Sequence, residues 1–165
     1  QYDVIRYEGI ANNGVFLIIE TLTDNKNRTA SEIRTILNKN GGMLGETGSA
    51  SFNFDKIGEV KYDSQNISKE KFFDFSIDKN ALDVIEEDPY IIANCKPENY
   101  SKFRDDLELE FGEPKKSELI WKAKNPIKLE PDIEKKVLSF IDLLEENDDI
   151  QRVFSNINLN QDLEE

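Results

Sequence analysis

Four cations, Lys26, Arg28, Arg34 and Lys39, crowd into the stretch Asp24-Asn-Lys-Asn-Arg-Thr-Ala-Ser-Glu-Ile-Arg34 and the few residues after it. Asn27 and Thr29 stand among them. A helix that starts here turns free backbone N–H groups and the positive end of its dipole outward, a setting that favours an anion. The chemistry on offer is a phosphate contact, with Lys26, Asn27, Arg28, Thr29, Arg34 and Lys39 as candidate nucleic-acid-binding residues. Asp, Asn and Thr also build caps and turns without any ligand, so the stretch equally reads as an ordinary helix start.

Other reactive residue types are sparse. The chain has no histidine and one cysteine, Cys95. That excludes a Ser-His-Asp or Cys-His triad within it, a His-bearing zinc site and imidazole acid–base chemistry. A single thiol excludes an internal disulfide and a multi-thiolate centre, and suits a reducing compartment. Cys95 lies in an apolar stretch and reads as a small core residue. Gly42-Met-Leu-Gly45 has the spacing of a nucleic-acid-clamping loop but no basic residue between its glycines. No Gly-Lys-Ser/Thr follows to make a P-loop.

The acidic runs Glu86-Glu87-Asp88, Asp105-Asp106 and Glu145–Asp149 lack the spacing and glycine turn of a calcium loop. Nothing selects from them a carboxylate pair for glycoside hydrolysis, so they read as solvated faces and helix ends. Trp121 reads as core; a base-stacking platform would need Lys122 and Lys124 on its own face. No metal and no cofactor is expected.

Charge narrows the field further. The chain has 165 residues, 34 acidic against 21 basic, for a net charge of −13. Residues 24–45 sum to +2, whereas 63–124 carry −5 and 125–165 carry −7. So acidic a chain repels nucleic acid at long range. Any such contact falls to the segment around residues 26–39 or to another domain. No apolar run approaches the ~20 residues of a membrane helix, and no membrane partner is expected. The chain opens on Gln1 without a signal peptide, and reads as a fragment or processed product. Leu163–Glu165 read as an added tail.

The elements that position these residues follow from periodicity. Val15–Glu20 is a buried strand. Thr29-Ala-Ser-Glu32 fits a capping box ahead of the stripe Ile33, Ile36, Leu37, and Asn40-Gly41-Gly42 ends that helix. Ala50, Phe52 and Phe54 alternate as a half-buried strand does, and Gly58 reads as a bend before Val60 and Tyr62. A helix is expected after Ser68, a hairpin of Ala81–Glu87 with Tyr90–Cys95, and a helix opened by Pro97 and stopped by Gly112. Leu119–Ala123 reads as a strand. Pro126–Leu129, a helix from Pro131 and a strand Ile150–Phe154 close the order, with Asn158–Glu165 frayed. The pattern predicts an α+β fold of two ferredoxin-like-type α/β domains: a discontinuous outer one, 1–62 with 125–165, and an inserted one, 63–124.

Tyr7-Glu8-Gly9, DNKNRTASEIR (24–34), GGMLGETGSASFNF (41–54), Leu82–Asp88 and Asn147–Asn156 together resemble the signature of the YebC family. The resemblance spans residues 2–157. It departs at Ile10-Ala-Asn-Asn-Gly14, where the family has a Gly-Pro-Gly-Gly-like turn, and at Met43 and Thr47, where Asn and Pro are common. The resemblance implies two α+β domains, one inserted in the other, behind a basic helical N-terminal domain that is absent here. It also implies a non-catalytic regulator of gene expression, acting on transcription through DNA or on translation through ribosomal RNA and the ribosome. Nucleic acid would be engaged chiefly by the missing domain. The compartment implied is the cytoplasm of a bacterium, or the mitochondrial matrix for an organellar relative. Two other classes stay open: a small-molecule-sensing or protein-interaction module, and a hydrolase using two close carboxyl groups with raised pKa values.

Overall fold

The computed structural model describes residues 1–159. Of the stretch Asn158–Glu165 expected to fray, Asn158 is tied down, its N–H donating to the Ile127 carbonyl at 2.6 Å; residues 160–165, with the expected added tail, lie outside the described residues. Contacts divide the chain into two compact units, residues 1–55 with 122–165, and residues 56–121.

In the outer unit the chain opens with a hairpin, β1 (Asp3–Ala11) and β2 (Val15–Thr23), paired residue by residue from Asp3↔Thr23 to Ala11↔Val15. Its three-residue connection places Asn13 at φ 66° and Gly14 at φ 76°. Short hairpin loops need this left-handed backbone, which Asn and Gly supply. Helix α1 (Lys26–Lys39) and the short strand β3 (Met43–Gly45) follow; α4 (Pro131–Glu145) and β8 (Ile150–Ser155) complete the unit. The sheet order is β3-β1-β2-β8. Val15, Leu17 and Ile19 of β2 share one face, as the period of two requires. They form a single core with Ile33 and Leu37 of α1 and with Val137, Phe140, Ile141 and Leu144 of α4.

The inner unit runs β4 (Phe54–Asp63), α2 (Lys69–Asp78), β5 (Asp83–Glu87), β6 (Tyr90–Cys95), α3 (Tyr100–Phe111) and β7 (Lys116–Ala123). Its sheet order is β5-β6-β4-β7. This is a complete βαββαβ unit of ferredoxin-like type. Ser68 caps α2 by accepting from the Lys71 N–H. Phe72, Phe103 and Leu107 from the helices pack on Val60, Tyr62, Ile91, Ala93 and Cys95 of the sheet.

Four local readings change. The strand β1 escapes the periodicity because Asp3, Arg6 and Glu8 interrupt its apolar residues. Residues 51–53 form a 3-10 turn instead of a strand, because the N–H groups of Ala50 and Ser51 go to a side chain and not to a ladder. Pro126–Leu129 contributes only an isolated bridge, Ile127↔Ile157. Residues 56–62 open the inner sheet, since β4 pairs with β6 from Gly58↔Cys95 to Asp63↔Tyr90; this places the unit boundaries at 55/56 and 121/122.

Candidate nucleic-acid interface

Helix α1 begins at Lys26, capped by Asn25, whose Oδ1 accepts the Arg28 N–H at 3.1 Å. The capping box at Thr29 does not form. Thr29 is instead fully buried, with its hydroxyl 2.7 Å from both Asp149 Oδ2 and Thr23 Oγ1. The Arg28 guanidinium donates to both oxygens of Asp149, at 3.1 and 3.0 Å, and to Asp24 at 3.0 Å. The anion expected at this helix start is therefore present, and it is the chain's own. Asp149 arrives from the turn between α4 and β8. The Thr29 hydroxyl and then the Arg28 guanidinium hold its carboxyl below the usual range. The adjoining cavity, about 430 Å³, is lined by Arg28, Glu32, Glu146, Asn147, Asp148 and Asp149. Four carboxylates around one guanidinium repel a phosphate.

The other candidates stand apart from that clamp. Lys26, Asn27, Arg34 and Lys39 are exposed. The Lys26 carbonyl accepts the Tyr7 hydroxyl at 3.2 Å, which leaves its ammonium in solvent. Arg34 borders a second cavity, about 480 Å³, together with Arg6 and Tyr7. Lys39 closes the last turn, where a cation complements the dipole. Among the described residues no ion pair involves Lys26, Arg34 or Lys39.

The glycine-rich stretch 41–49 holds a second internal anion. Glu8 of β1 is 2% exposed. Its carboxylate accepts the backbone N–H groups of Gly48 (2.8 Å), Ala50 (2.9 Å) and Ser51 (2.6 Å). Burial pushes the Glu8 carboxyl up, but the N–H groups of Gly48, Ser51 and Ala50 outweigh it and leave the pKa lowered. Successive amides of this kind are an anion-binding concavity; here β1 fills it. Of Gly42–Gly45, the spacing of a clamping loop, Met43–Gly45 form the edge strand β3, paired with Glu8–Ile10 of β1.

Glu8 and Asp149 are the functional-looking residues that sequence reasoning missed. The available signal was an acid between Tyr7 and Gly9 in a strand of mixed polarity, with a glycine-rich loop further on, and an acid just past a helix opposite a Thr-bearing helix start. Neither serves as a general acid at neutral pH, since both carboxyl pKa values lie below the ordinary range. Burial pushes the Cys95 thiol up to about 11, which suits a packing residue and not a nucleophile. Trp121 carries Lys56 Nζ 4.9 Å from its ring centroid. Among the described residues no group of His, Cys, Asp and Glu is placed to hold a metal ion. No helix among them is long and apolar enough to cross a membrane.

Among solved structures, the chain is similar to a conserved hypothetical protein, Aq1575, from Aquifex aeolicus. The identity is 30% and the TM-score 0.84, covering 98% of this chain and 67% of that one. Residues 2–157 match the family model described as "TACO1/YebC second and third domain". With its two α+β units and this match over nearly the whole length, the chain belongs to the TACO1/YebC family of gene-expression regulators and spans the second and third domains of that family.

Proposed function

We propose that this chain is the non-catalytic body of a translation-linked regulator that docks on ribosomal RNA, with exposed cations of α1 as an accessory contact. The observation that carries the reading is the state of charge on that helix. Lys26, Arg34 and Lys39 are exposed and without acidic partners in a chain of net charge −13. Arg28 and Thr29 are committed to Asp149 and act as a clamp on the fold. Three separated cations suit a point contact with a folded RNA. A DNA reader would need a continuous basic surface and a helix whose side chains reach base edges. In the family, a basic helical domain ahead of these two is expected to supply most of the affinity.

Crosslinking of the full-length protein in cells, followed by sequencing of the bound nucleic acid, tests the proposal. Ribosomal RNA should be enriched. The triple variant Lys26→Glu, Arg34→Glu, Lys39→Glu should weaken RNA binding about tenfold near 0.1 M salt and flatten the salt dependence by a slope of about 2. Recovery of promoter DNA in place of ribosomal RNA overturns the translational assignment. Unchanged RNA binding by the triple variant at low salt overturns the role of α1.

A further inference from the structure

The open edge of the inner sheet carries a surface that the nucleic-acid reading does not use. Strand β5 is the edge strand, paired on one side with β6. Helix α2 packs beside it: the Lys69 ammonium lies 3.2 Å from Glu86 Oε2, which fixes the start of the helix against the end of the strand. From that anchor the two elements run in opposite directions. Phe73 and Ile77, one turn apart on α2, are brought alongside Val84 and Leu82 on the helix side of β5. Phe73 is 49% exposed, Ile77 46% and Leu82 52%, while Val84 is partly buried against the core. Large apolar side chains scattered singly need no explanation, but a contiguous strip marks a contact.

The margins of the strip say what kind of contact. Glu70, Asp74 and Asp78 follow one another at i, i+4, i+8 along α2 beside Phe73 and Ile77, all exposed. Asp83 and Glu87 of β5 are exposed on the far side. Of the lysines of and next to α2, Lys69 is engaged with Glu86 and Lys79 lies over the Phe75 ring, which leaves Lys71 as the exposed cation among these carboxylates. An apolar strip edged along α2 by carboxylates that outnumber its one unengaged lysine, with further carboxylates on the opposite face of β5, repels nucleic acid and anionic membranes alike. It complements a polypeptide that is apolar along its middle and basic along its sides.

We propose that this strip, Phe73, Ile77, Leu82 and Val84 beside the carboxylate row of α2, is a docking surface for a basic amphipathic segment of a partner protein.

The test uses a synthetic peptide of alternating lysine and leucine and its glutamate–leucine counterpart, titrated into the 15N-labelled chain and followed by amide shifts and anisotropy. The lysine peptide should perturb amides within residues 69–87. The variant Phe73→Ser, Ile77→Ser, with unchanged circular dichroism, should weaken binding ~10-fold. Asp74→Lys, Asp78→Lys should weaken it at low salt, and the glutamate peptide should not bind. Perturbations spread over the acidic surface, or binding lost with the aspartate changes but kept with the serine changes, reduce the effect to general charge attraction and overturn the proposal. So does absence of binding, competition by an RNA oligonucleotide for the same amides, or sedimentation showing a dimer that the serine variant dissolves.

Discussion

Two side chains, Glu8 and Asp149, turn apparent ligand sites into internal joints. Each carboxylate sits where backbone or side-chain donors converge, and each has its pKa held below the ordinary value. The sign of the pH effect follows. A carboxyl group whose folded pKa is depressed contributes stability that is fully present above its unfolded pKa, near 4, and is lost as pH falls through the folded value. The protein is expected to lose stability below about pH 4, and urea titrations at pH 6 and pH 3 measure it. Glu8→Gln should flatten that pH dependence. Glu8→Ala strands three amide donors, one of them on the fully buried Ala50. It should cost about 3 kcal/mol at neutral pH. A Glu8→Ala protein as stable as the parent would show that the loop finds other partners.

Among the elements, β4 is held by a contact that only glycine permits. A Cβ on Gly58 would fall 2.5 Å from Tyr100 Cδ1 and 2.8 Å from Cys95 Sγ. Gly58 marks close packing of α3 over the sheet and not the bend its sequence position suggests. Gly58→Ala is expected to destabilise the inner unit by about 2 kcal/mol, read as a lowered urea midpoint; an unchanged midpoint would mean that Tyr100 swings aside freely. The same distinction explains what the sequence revealed and what it concealed. Helices with wide apolar stripes, such as Ile133 to Leu144, were legible because their period is local. So was the hairpin at Glu87-Asp88-Pro89. The α+β class and the inserted arrangement followed from the order of such elements. Hidden were the choices made by distant partners: Phe52 alternates with its neighbours yet lies in a turn, because Glu8, far away in sequence, takes the amides around it. Arg28 reads as a free cation until Asp149 is brought beside it.

At the scale of the molecule, the inserted unit begins and ends beside one hydrogen bond of the outer one. The Lys124 N–H donates to the Asn53 carbonyl at 2.9 Å. Each unit also has its own core. Replacing residues 56–121 with a short Gly-Ser turn is therefore expected to leave an outer unit that unfolds in a single cooperative thermal transition with dispersed amide resonances. A chain that stays unstructured after this excision would show that the outer unit depends on the insert. The outer sheet has a further property, set by the pairing of β2 with β8 and by the Arg28–Asp149 clamp across 121 positions. During biosynthesis β2 and α1 emerge well before β8 and wait, with an apolar face uncovered, until residues 150–155 have been made. The inserted unit, contiguous in the nascent polypeptide, has all its strands much sooner. Release before residue 149 leaves the first-made half of the outer sheet without its closing strand, and such truncated products are the ones quality-control proteases should find.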